Sequence, residues 1–218
     1  ATLTLGLLAA LVACGGGGGG EAPPVVANLC PASPAVAVNG PAWWGFGRDA
    51  QHTGLGEITL PTQSLSCIYW QMAVDLAPQL NANGALSTHY GSPVITGRNT
   101  VMVPVKTATD ASATPPFRVE ARDGHDGSIK WILASDYRLP PHRWIPSFNP
   151  VLAPPLVAGG PPRLVMPMSG GRLLVREDPD ADTGTTREFT FFDYAAAPAT
   201  YDATVFINTP ITVDMRGN

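Results

Sequence analysis

The stretch Phe117-Arg118-Val119-Glu120-Ala121-Arg122-Asp123-Gly124-His125-Asp126-Gly127-Ser128-Ile129-Lys130-Trp131-Ile132-Leu133 decides the fold. Its first five residues alternate apolar and polar, as a strand with one buried face must, because successive side chains leave a strand on opposite sides. Arg122 to Gly127 is a turn, and Ser128 to Leu133 returns with the same alternation. The reading is a hairpin of two strands.

On either side lie further hairpins. Ser92-Pro93-Val94-Ile95-Thr96 runs through Gly97-Arg98-Asn99 into Thr100-Val101-Met102-Val103-Pro104-Val105. A second copy opens with Asn149-Pro150-Val151-Leu152, crosses an enlarged Pro/Gly-rich loop and resumes as Arg163-Leu164-Val165-Met166-Pro167-Met168. A third opens with Thr209-Pro210-Ile211-Thr212-Val213 and reaches the turn Arg216-Gly217-Asn218. Pro93, Pro150 and Pro210 set intervals of 57 and 60 residues, longer than the roughly 40 to 50 of common propeller blades. No long run with helical period follows Trp43. With 23 glycines and 23 prolines among 218 residues, short strands and many turns are favoured over long helices. The expected class is all-β.

Ala121-x-Asp123-x-x-x-Gly127-x-x-x-Trp131 resembles the tryptophan-docking motif of the PQQ-like, or quinoprotein-alcohol-dehydrogenase-like, β-propeller repeats, with Asp126 where that family usually has Thr. Trp44-Gly45-Phe46-Gly47-Arg48-Asp49-Ala50-Gln51-His52-Thr53-Gly54 is similar to the opening of such propellers, and Tyr69-Trp70-Gln71 to the close of a first half-blade. The resemblance implies four-stranded antiparallel blades, about three of them in residues 43–218, an incomplete ring. It implies that the indole of Trp131 sits between neighbouring blades with its N–H on a backbone carbonyl. In the second outer hairpin Asp182-Thr183-Gly184 keeps the turn, Glu188 stands at the tryptophan position and Phe189 lies one residue beyond.

Residues 1–13 read as a signal peptide lacking its charged start: Thr2 to Ala13 is apolar and uncharged, yet falls short of the roughly 20 residues that span a bilayer. Leu11-Val12-Ala13-Cys14 resembles the lipobox of bacterial lipoproteins, which implies lipidation of Cys14 and a protein held at the membrane by more than one acyl chain. Residues 14–42, with the run Gly15 to Gly20 and the proline-rich Pro23 to Pro41, read as a flexible tether. The expected address is the bacterial cell envelope, facing the periplasm or the exterior. Cys30 and Cys67 could form a disulfide pinning the tether to the first blade, or remain two buried thiols.

A net charge of −4 with 13 scattered Lys and Arg argues against a nucleic-acid partner, which needs clustered cations. Asp178-x-Asp180-x-Asp182 has cation-ligand spacing and could converge on Ca²⁺, although Thr183 stands where an EF-hand loop has Gly and Glu188 comes one residue early. The plainer reading is a solvated acidic loop. His52, His89, His125 and His142 lack a zinc spacing; His142 beside Arg143-Trp144 could line a loop-built pocket. No hydrolase, nucleotide or dinucleotide fingerprint occurs. The leading expectation is therefore a membrane-tethered binding or scaffolding propeller with a protein or small ligand on one face. Two alternatives stand beside it: a PQQ-dependent oxidoreductase, and an assembly factor similar to the outer-membrane barrel-assembly lipoproteins.

Overall fold

The computed structural model describes residue 30 and residues 39–56, 67–80, 86–87, 91–108, 115–138 and 148–218. A two-stranded ladder joins β1 (Gln79–Leu80) to β2 (Leu86–Ser87). Two four-stranded antiparallel sheets follow, each a meander in chain order. The first contains β3 (Val94–Ile95), β4 (Thr100–Lys106), β5 (Phe117–Asp123) and β6 (Ile129–Ser135). The second contains β7 (Val151–Ala153), β8 (Arg163–Pro167), β9 (Arg172–Glu177) and β10 (Thr186–Thr190). The described residues are thus mostly β, and they do not close a ring.

The two meanders superpose in register. Val94 pairs with Met102, which pairs with Ala121; Val151 pairs with Val165, which pairs with Val175. Pro104 opposes Val119, and Pro167 opposes Leu173. Both prolines lie beyond the short first strand of their sheet, where the second strand is locally an edge and a missing N–H costs no ladder bond. The outer ladder corrects one sequence expectation. Trp131 opposes Ala121, and Arg187, not Glu188, opposes Val175. A register shift after Ala121 in the first sheet offsets the count by one residue, which spacing alone does not show.

Alternation puts the apolar residues of each sheet on defined faces. Val94, Met102, Phe117, Val119, Ala121 and Trp131 of the first sheet meet Leu152, Leu164, Met166 and Leu174 of the second in one buried cluster. Each Val- to Phe-sized side chain buried there contributes about 1.5–3 kcal/mol. Just outside the strands, Phe148 stacks on Phe117 at a ring-centroid distance of 5.0 Å and Tyr137 meets Phe117 edge-on at 5.3 Å. The other face of the second sheet gathers Val151, Ala153, Val165 and Val175, against which Ile211 and Val213 rest.

The third repeat is realised in part. Its turn forms, with Asp214 accepting from the amides of Arg216 and Asn218, but Thr209–Val213 forms no strand, because no described segment offers it a ladder. One helix, α1 (Pro198–Thr204), was not anticipated. At seven residues it is too short for a periodic signal, and its sequence mark is the proline in its first turn. The opening segment crosses both sheets at their first strands: Trp43 exchanges backbone hydrogen bonds with Ile95, and Leu152 N–H donates to the Trp44 carbonyl at 2.7 Å.

Candidate functional site

In an up-and-down meander, alternate turns share an end. The β3–β4 and β5–β6 turns and their counterparts β7–β8 and β9–β10 define one end, and the β8–β9 turn with the chain leaving β6 and β10 defines the other. Each end carries its own constellation.

At the first end the indoles are docked. Trp131, 7% exposed, donates from Nε1 to the Pro179 carbonyl at 2.9 Å, in the β9–β10 turn of the next sheet. The Arg176 guanidinium lies over its ring, Cζ 4.2 Å from the centroid, and donates to the carbonyls of Ala181 and Asp182 in the same turn. Burial pulls the Arg176 pKa down, and the nearby Asp178 carboxylate opposes that. The same arrangement occurs one repeat earlier: Trp70 Nε1 donates to the Gly124 carbonyl at 3.0 Å, in the β5–β6 turn. Gly127 there has φ +75°, and a Cβ would lie 2.7 Å from the Trp70 ring, so both backbone conformation and ring contact require glycine. Asp123 shapes the turn, its side chain accepting from His125 N–H at 2.8 Å and its carbonyl from Gly127 N–H at 2.8 Å. Ala121, Asp123, Gly127 and Trp131 are thus brought into one hairpin, but Gly127 serves Trp70 while Trp131 serves the following sheet.

The residues of the acidic run make separate contacts. Asp180 accepts from the Thr96 hydroxyl, Asp182 offers its carbonyl to Arg176, and Asp178 keeps one buried carboxylate oxygen without a partner. Among the described residues no three His, Cys, Asp or Glu side chains gather to hold a metal, because the turn is wrapped around the indole and guanidinium.

At the second end a polar knot ties five segments together. Ser169, in the β8–β9 turn, donates from Oγ toward Asp136 Oδ2 at 3.0 Å and Asp202 Oδ1 at 2.8 Å. Arg172 ion-pairs with Asp136 and with Glu188, the latter at 2.8 Å, and its Cζ lies 4.3 Å from the Tyr194 ring centroid. Tyr194 OH donates to Asp202 at 3.0 Å. Burial disfavours the Arg172 charge, but the carboxylates of Glu188 and Asp136 outweigh it and raise its pKa. Among the described residues Ser169 is partnered by carboxylates and Arg172 and by no histidine. Sequence reading missed it, although a signal was present: Arg118-x-x-x-Arg122 and Arg172-x-x-x-Arg176 stand 54 residues apart at matching positions of β5 and β9. In the first sheet this pair clamps Glu120, 2% exposed, from both sides.

Cys30 and Cys67 are joined in a disulfide, Cα–Cα 5.0 Å, and Cys30 N–H donates to the Ile68 carbonyl at 3.0 Å. Cys14, His89, His142, Arg143 and Trp144 lie outside the described residues. His52 meets Phe46 edge-on at 5.5 Å. The chain matches no protein-family model, no curated protein and no solved structure.

Proposed function

We propose that the chain belongs to a β-propeller, tethered through Cys14 to a bacterial envelope membrane, that works as a binding or scaffolding module. The observation that carries this reading is the recurrence of one docking device: Trp70 on the Gly124 carbonyl and Trp131 on the Pro179 carbonyl. A tryptophan held by the turn of the following sheet, twice in succession, is what radial stacking of blades requires. Such an array presents its loops at two ends, which is where propellers of many functions place their ligand contacts. The knot around Arg172 would give one end a rigid polar rim, with Asp136 and Glu188 side chains 44% and 51% exposed.

Two measurements test this. Palmitate labelling in a bacterial host reports the anchor; it is expected for the parent and lost in Cys14→Ala. Benzophenone side chains placed at Asp193 and at Leu156, exposed positions of opposite ends, are then photolysed in intact cells. A discrete adduct from one end supports a binding module. Absence of label together with no adduct from either end would overturn the reading, and dye-linked alcohol oxidation on adding PQQ and Ca²⁺ would replace it with an oxidoreductase.

A further inference from the structure

The β7–β8 connection runs from Pro154 to Pro162, whereas its counterpart in the first sheet is only Thr96–Asn99. Hairpin loops of two to five residues are usual, and longer ones commonly carry function. Here the insertion builds a wall. Gly159, Gly160 and Pro161 face Arg98 of the β3–β4 turn and Asp178 and Asp180 of the β9–β10 turn around a cleft of about 270 Å³. Three turns from two sheets therefore line one space, which neither sheet forms alone.

The charges of this cleft are separated by turn. Arg98 is exposed, and its guanidinium has no hydrogen-bond or ion-pair partner among the described residues. On the β9–β10 side, Asp178 keeps a buried oxygen without a partner, and Asp180 uses one oxygen on Thr96. The volume is below the roughly 300 Å³ at which drug-sized sites begin, so the occupant is small. A bare metal ion does not fit the donor set, since no three ligating side chains gather among the described residues. A simple anion would meet two carboxylates and a simple cation would meet Arg98.

We propose that this cleft binds a small dipolar ligand, a free amino acid or dipeptide, with its carboxylate on Arg98 and its ammonium on Asp178 and Asp180. The glycine and proline wall leaves room for a short carbon frame and little else. This site lies at the end opposite the Arg172 rim and does not depend on it.

The test uses the full chain, ¹⁵N-labelled, and three probes: glycylglycine, its N-acetylated form and its C-terminal amide. The amide signals of Gly159 and Gly160 are expected to shift with glycylglycine, and to need at least about tenfold more of either blocked probe, because each lacks one charge of the pair. Arg98→Gln, at an exposed position, is expected to leave the thermal unfolding curve in place and to abolish the difference between glycylglycine and its amide. Equal responses to all three probes, no response to any, or an unaltered preference in Arg98→Gln would each overturn the proposal.

Discussion

The Trp131 indole and the Arg176 guanidinium stack across the two sheets with Cζ 4.2 Å from the ring centroid, while the indole N–H reaches the Pro179 carbonyl of the turn that Arg176 itself braces. One side chain thus locks a neighbouring sheet through its face and its edge together. The buried cation is tolerated because its two terminal NH₂ groups end on backbone carbonyls and its plane on a π-face, interactions that are stronger for arginine than for lysine, although its Nε has no partner. The apolar cluster beneath supplies most of the stabilising area, and the Trp131 contacts fix how the sheets are oriented.

Gly127→Ala tests the earlier copy of the device. The substitution meets both a left-handed backbone, φ +75°, and a Trp70 ring atom 2.7 Å from the new Cβ. A loss of about 2–4 kcal/mol is expected in urea unfolding, the sum of backbone strain and overpacking, with a red shift of tryptophan emission as Trp70 leaves Gly124. The same change at Gly54, where φ is +64° and no atom lies within 4 Å of the added Cβ, should cost only the strain, about 1 kcal/mol.

Reduction of the Cys30–Cys67 bridge, which closes a separation of 37 residues, is expected to destabilise the fold by up to about 4 kcal/mol. Cys30→Ser and Cys67→Ser should give the same loss as dithiothreitol, and dithiothreitol should add nothing to either variant. Thermal unfolding with and without reductant checks this.

Lys106 predicts a pH effect. Burial lowers its pKa below the ordinary 10.5, against the pull of Asp75. Between the lowered value and 10.5 the unfolded chain holds a proton that the folded chain has released, so stability should rise with pH through that window. Above about pH 10 the sign reverses: burial holds Tyr137 protonated when the unfolded phenol ionises near its ordinary value. Stability measured by urea midpoint should therefore climb toward pH 10 and then fall, and Lys106→Met should remove the climb and keep the fall.

Much of this is legible in the amino-acid sequence. Period-2 alternation marks β5 and β6 because those strands bury one side against the second sheet, and Trp131 stands out because a buried indole must find an acceptor. The Arg172 knot was not legible, since Asp136, Glu188, Tyr194 and Asp202 come from four separate segments and only the folded meander brings them together. Counting from the turn puts Glu188 at the tryptophan position because the bulge after Ala121 leaves no mark in residue spacing. The acidic run was ambiguous for a different reason: Asp178, Asp180 and Asp182 have ligand spacing, but the turn geometry is dictated by an arginine and an indole that sequence distance does not connect to them.

A double-mutant cycle on Trp131→Phe and Arg176→Met tests most directly the claim that the two sheets dock as neighbouring blades. The stacking predicts a coupling energy of about 1–2 kcal/mol in urea unfolding, with each single variant destabilised and the double variant less so than the sum. Strict additivity, within about 0.3 kcal/mol, would mean that the two side chains do not meet and would contradict the blade-on-blade arrangement from which the proposed function follows.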